Sequence, residues 1–123
     1  MFIIHIMKTK AIGTHLIADF FGSENDDSIL YIKKALKEAI EKAGATLLLI
    51  KTHKFYPQGV SAFALIAESH VSIYSWPEFE YMAIDVFSSG QKINLPKIIE
   101  VLEKKFKPTK VKVKKLKRGE MVI

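Results

Sequence analysis

A chain of 123 residues, 49% hydrophobic and 26% charged, has the length and composition of one globular domain, 1–123. It contains no cysteine, which excludes disulfides, thiolate metal sites and cysteine nucleophiles together. The formal net charge is +6, yet residues 1–100 carry 10 basic and 11 acidic residues while residues 101–123 carry 9 and 2, so the basic character belongs to the tail.

The opening run MFIIHIM is seven residues long and is followed directly by Lys8 and Lys10. It is too short to span a bilayer, and its charges follow the apolar run instead of preceding it as in a secretory signal. A cytoplasmic protein with no membrane partner is expected, with Met7 as an alternative start. From Gly13, THLIADFF reads as a first strand. The GSENDD segment supplies turn residues, with Asn25, Asp26 or Asp27 as N-cap of the helix that follows. Ile29, Ile32, Leu36, Ile40 and Ala43 recur at three- and four-residue steps, the pattern of an amphipathic helix ended by Gly44.

ATLLLIKTHKF is the next strand, closed by the turn Tyr56-Pro57-Gln58-Gly59. Three strands then follow in quick succession, Ser61–Ser69, Val71–Trp76 and Tyr81–Phe87, with Pro77 bending the chain before the last. Asn94 is the expected N-cap of a second amphipathic helix, with Pro96 in its first turn, Leu95, Ile98, Ile99, Leu102 and Phe106 on its apolar side and Pro108 at its end. The segment KVKVKKLK alternates Val111, Val113 and Leu116 against lysines as a final strand. Strand, helix, four strands, helix, strand predicts an α+β fold: a two-layer α/β sandwich whose mainly antiparallel sheet is covered on one face by two helices.

The lysine row of the last strand is the arrangement that phosphate binding needs, but no aromatic residue is interleaved with it. Lysines also protect an edge strand against edge-to-edge pairing, so no nucleic-acid partner is expected. A nucleic-acid module remains the rival reading, and it predicts salt-dependent binding and no chain cleavage. The four histidines, His5, His15, His53 and His70, show no metal-ligand spacing, and no metal site is expected. Glu68-Ser69-His70 sits where one apolar strand ends and the next begins, a place where a rigid sheet holds reactive groups at a cleft. Adjacent residues of a strand point to opposite faces, so the tripeptide is not a conventional nucleophile–base pair.

A set of spaced segments sharpens the reading. Ile12-Gly13-Thr14-His15, Phe55 through Ser61, Glu68-Ser69-His70, Trp76-Pro77-Glu78 and Ala83-Ile84-Asp85 together resemble the prokaryotic S-adenosylmethionine decarboxylase family, over nearly the whole chain from Met7. The resemblance implies an α/β sandwich assembled as a homodimer, with active sites near the interface. It implies that Ser69 attacks the carbonyl of Glu68 and converts the amide to an ester. Elimination then leaves residue 69 as a pyruvoyl group, and the fragments 1–68 and 69–123 stay folded together. That group is the cofactor: its ketone condenses with the amine of a small-molecule substrate and accepts the electrons released with carbon dioxide.

By the same resemblance Ser61 lies near the processing and active site, Phe55 and Trp76 are aromatic positions near the ligand, and Glu78 is a carboxylate for ribose hydroxyls. Two positions depart from the family pattern. Tyr74 stands where the family has a histidine that assists elimination, and Ser89 where it has a cysteine that supplies a proton after decarboxylation. A thiol titrates near 8.5 and an imidazole near 6.5, against about 10 for a tyrosine, and a serine hydroxyl is weaker still. Three readings accommodate this: Tyr74 takes over the acid–base role, the substrate is another amino acid such as arginine, held by Glu78 or Glu80, or the chain is an uncleaved, non-catalytic homologue. The default expectation is decarboxylation of S-adenosylmethionine for polyamine (spermidine) synthesis after cleavage between Glu68 and Ser69.

Overall fold

The computed structural model describes residues 9–90 and 93–123. The MFIIHIM run, His5 and the alternative start at Met7 lie outside the described residues. The order of elements is the expected one: β1 (Thr9–Phe21), α1 (Ile29–Lys42), β2 (Leu47–Lys54), β3 (Val60–Ile66), β4 (Ser69–Trp76), a 3-10 turn at Pro77–Phe79, β5 (Tyr81–Ser89), α2 (Leu95–Phe106) and β6 (Lys110–Val122). The six strands form one antiparallel sheet in the order β2-β3-β4-β5-β1-β6, and α1 and α2 pack on it as a second layer. The architecture is the α+β sandwich that the element order predicts. No helix among the described residues is long and apolar enough to cross a membrane.

Period-2 alternation divides each strand between the two faces. Leu16, Ala18 and Phe20 of β1, Ala62, Ala64 and Ile66 of β3, Val71 and Ile73 of β4 and Met82, Ile84 and Val86 of β5 are buried against the helices. The helices contribute Ile32, Leu36, Ile40, Ile98, Leu102 and Phe106 to the same core. Each of the larger side chains among these stabilises the fold by roughly 1.5–3 kcal/mol when it leaves water. The opposite, open face carries the intervening residues, among them His15, Ser61, Phe63, His70, Tyr74, Trp76, Tyr81, Asp85 and Phe87.

Local details depart from expectation in four places. Ser28, not Asn25, Asp26 or Asp27, caps α1: its Oγ accepts from Tyr31 N at 3.1 Å, leaving Asp27 free for bonds elsewhere. The first strand begins at Thr9 and the last reaches Val122, because the two pair along almost their full length, Thr9 opposite Val122 and Phe21 opposite Lys110. The third strand ends at Ile66 instead of Ser69, since Ala67 and Glu68 form the turn and Ser69 opens β4. The fifth strand continues past Phe87 to Ser89. Asn94 caps α2 as expected, accepting from Lys97 N at 3.2 Å.

Candidate active site

Strand β4 has a different cluster of candidate side chains at each end. At its start the chain turns tightly between β3 and β4, and three bonds brace the turn. Ala67 N donates to Thr46 O at 2.9 Å, Thr46 N donates to Glu68 Oε1 at 3.2 Å, and Ser89 N donates to Glu68 O at 3.0 Å. Ser89 Oγ donates to the same Glu68 carbonyl oxygen, at a longer 3.4 Å. The register that pairs Ser69 with Ser88 sets Ser89 at this position. The carbonyl that precedes Ser69 therefore faces two donors.

Ser69 itself has φ +152°, a backbone region that side-chain-bearing residues rarely adopt and that costs of the order of 1–3 kcal/mol. The expectation that Ser69 and His70 point apart assumes regular strand geometry. At this dihedral it fails, and Ser69 Oγ lies 3.3 Å from His70 Nδ1. The His70 ring stacks on Phe63 with centroids 5.6 Å apart and leans on Phe87 at 5.8 Å. Burial holds its pKa below the ordinary 6.5, nearby His15 adds to the shift, and Asp85 partly offsets it. His15 Nε2 in turn lies 3.0 Å from Asp85 Oδ1, and Arg118 approaches His15 Nδ1 at 3.4 Å.

The other end of β4 opens into a cleft of about 400 Å³ lined by Phe55, Gln58, Gly59, Ser61, Tyr74, Ser75, Trp76 and Glu78. Five of the residues singled out from sequence, Phe55, Ser61, Tyr74, Trp76 and Glu78, meet here. Phe55, Tyr74 and Trp76 are 47%, 39% and 40% exposed, so these rings face the cleft and are not core packing. Trp76 stacks on Tyr81 with centroids 5.5 Å apart, and Tyr81 donates its hydroxyl proton to Asp19 Oδ1 at 2.5 Å. Burial and that bond push the Tyr81 pKa up to about 12, so it stays a neutral support for the tryptophan. The turn that carries Phe55 is closed by Phe55 N donating to Gly59 O at 2.8 Å. It is tied to the start of α1 by Gly59 N donating to Asp27 Oδ1 at 2.7 Å and by a Lys54–Asp27 ion pair.

The chain thus brings Glu68, Ser69 and Ser89 together, and Phe55, Ser61, Tyr74, Trp76 and Glu78 together, but not the two groups. Five residues separate Ser69 from Tyr74 along a straight strand, about 16 Å at strand rise. Sequence reasoning gave Asp27 only a capping role, and gave none to the His15–Asp85 pair beside His70. The pair stands diagonally across β1 and β5, a relation that becomes visible only once those strands are known to be neighbours.

The sequence profile of S-adenosylmethionine decarboxylase matches residues 14–119. The chain belongs to that family. It is 44% identical over 112 residues to a protein named S-adenosylmethionine decarboxylase proenzyme from Methanococcus maripaludis strain C5, covering 89% of this chain and 92% of that one. A protein of the same name from Thermotoga petrophila is 38% identical over 89% of this chain and 86% of its own length. The crystal structure of the adenosylmethionine decarboxylase from Aquifex aeolicus superposes with a TM-score of 0.83 at 27% identity, over 89% of this chain and 92% of that chain. The matched range takes in both ends of β4.

Proposed function

We propose that this chain is a self-processing decarboxylase that acts on S-adenosylmethionine and serves polyamine (spermidine) synthesis. The observation that carries the reading is the Glu68–Ser69 bond. A hydroxyl follows a carbonyl whose oxygen accepts from Ser89 N and Ser89 Oγ, and the serine backbone is strained at φ +152°. When Ser69 Oγ adds to the carbonyl carbon, negative charge develops on the oxygen that already faces those donors. Fixed donors at such a point are worth far more than in water because they need not reorganise. Cleavage also releases the strained dihedral.

The residues at this position fit a pyruvoyl group made from Ser69. After the cut, residue 69 heads a strand still paired with β3 and β5 on both sides, so fragments 1–68 and 69–123 stay together with the new chain end held in place. Such a group supplies an electron sink for a substrate amine losing carbon dioxide. The chain's own residues bind and orient. Phe55 and Trp76 offer faces for adenine and for the sulfonium cation, and Glu78 accepts from ribose hydroxyls. Ser89 retains its hydroxyl beside the new terminus as a hydrogen-bond donor.

The separation of Ser69 from Ser61 and Tyr74 supports a homodimer through the open face. Two copies related by a two-fold axis would bring one copy's Tyr74 and Ser61 toward the other's Ser69, completing a site that neither copy holds alone. Apolar rings on that face, Phe63 and Phe87 among them, suit such burial.

Intact mass under denaturing conditions tests the proposal. Two chains split between Glu68 and Ser69 are expected in place of one 14.0 kDa chain. The split protein should then release carbon dioxide from S-adenosylmethionine and not from arginine. A chain that stays whole through long incubation overturns the reading.

A further inference from the structure

The His70 ring occupies a position that neither ligand binding nor core packing explains. Its Nδ1 lies 3.3 Å from Ser69 Oγ, and its plane is fixed by Phe63 on one side and Phe87 on the other. The titratable groups facing it are His15 from β1, whose ring centroid is 6.4 Å away, and Asp85 from β5; Arg118 of β6 contacts His15 from the far side. The other candidate bases nearby are committed. The Glu68 carboxylate accepts from Thr46 N, and His15 is bound to Asp85.

We propose that His70 is the catalytic base of the first step of chain cleavage, and the acid that completes it. The inference rests on the self-processing reading and assigns its proton path. As the bond forms between Ser69 Oγ and the Glu68 carbonyl carbon, the carbonyl electron pair moves to the oxygen facing Ser89. The hydroxyl proton passes to His70 Nδ1. On collapse that pair returns, the carbon–nitrogen bond breaks with its electrons kept on the Ser69 nitrogen, and that nitrogen takes the proton from His70. The products are an ester and a free amine on residue 69. His70 ends neutral, as it began, and no other reactant is consumed.

Burial and His15 together keep the imidazole neutral below its ordinary titration range, which makes it ready to accept. General acid–base assistance of this kind is worth roughly 10²–10⁴ in rate.

The test follows freshly synthesised full-length chain by intact mass over time. His70→Ala should slow cleavage on the order of 100-fold. Hydroxylamine, which severs an ester and spares the amide, should not cut it. Added imidazole should enter the space left by the ring and restore cleavage. If the wild-type chain never cuts, the self-processing reading fails as a whole. If the wild type cuts and folded His70→Ala cuts as fast, accumulates a hydroxylamine-sensitive ester, or ignores imidazole, only the role of His70 falls. Should His70→Ala not fold, the wild-type pH profile decides. The rate should rise with pH as the ring loses its proton, with a midpoint below 6.5, and a rate that falls with rising pH, or whose midpoint lies above 6.5, overturns the assignment.

Discussion

The two ends of β4 are built on opposite principles. At Ser69 the chain is held fast: the turn is braced to Thr46 just before β2, the Glu68 carbonyl is bonded to Ser89 of β5, and the backbone is strained. At Trp76 the chain opens a cleft and leaves large aromatic rings half in water. On the proposed function the contrast follows from what each end would handle up to the cut. Chemistry on the chain's own peptide bond needs no room, because the reacting atoms are already linked and need only alignment, which is worth many orders of magnitude in effective concentration. A ligand must enter and leave, so its site has to be roomy and lined with faces. One rigid strand serves both because its pairing with β3 and β5 runs unbroken from Ser69 to Tyr74.

The largest effect expected from breaking this contrast is at Ser69. Both Ser69→Gly and Ser69→Ala should remain single chains, since neither supplies a nucleophile. They should differ in stability. Glycine adopts φ +152° without strain, recovering some of the roughly 1–3 kcal/mol held there, against about 0.5–1 kcal/mol of added unfolded-state entropy. Urea unfolding should therefore find the glycine variant the more stable of the two by about 1 kcal/mol. Equal or reversed stabilities would remove strain from the account of the cleavage site.

The converse change is at the other end. Trp76→Ala should weaken binding of S-adenosylmethionine about tenfold, the worth of one well-placed aromatic face, while leaving the rate of chain cleavage unchanged. Titration calorimetry and intact mass measure the two quantities separately. A variant that binds normally would remove Trp76 from the ligand site, and one that cleaves slowly would show that the ends of β4 are not independent.

Much of this organisation is legible in the sequence. Apolar residues at helical spacing and at alternate strand positions identified all eight elements and the buried face of the helices and central strands, since burial is what the periodicity encodes; β2 and β6 stay largely exposed. Boundaries were less legible where burial gives no signal. The last strand is exposed along almost its whole length, so nothing in its side chains marks its continuation from Lys117 to Val122; only its pairing with β1 extends it. The cap of α1 was misassigned because Asp27 satisfies every local criterion for a cap, yet its carboxylate is committed to Lys54 and Gly59. The role proposed for His70 escaped because it depends on one backbone dihedral at Ser69, and a tripeptide carries no sign of that angle. The neighbouring order that inserts β1 between β5 and β6 is likewise non-local, and it alone brings His15 to Asp85.

The smallest expected effect lies furthest from the chemistry. Asp27 holds the Phe55–Gly59 turn through Gly59 N and Lys54, and so sets how Phe55 faces the cleft. Asp27→Asn keeps an acceptor for Gly59 N but loses the ion pair, which is partly exposed and worth at most about 1 kcal/mol. Affinity for S-adenosylmethionine should fall only two- to fivefold, with cleavage unaffected. The bond to Lys54, and then that to Gly59, holds the Asp27 carboxyl below its ordinary 3.8. A depressed carboxylate contributes stability above its unfolded pKa and loses it as pH falls through the folded value. The wild-type turn should therefore be insensitive to pH near neutrality and loosen only in acid, below the ordinary carboxylate range. Trp76 is the sole tryptophan and lines the same cleft, so its fluorescence reports the change directly. A transition centred near neutrality would remove the Asp27 carboxylate from control of the turn.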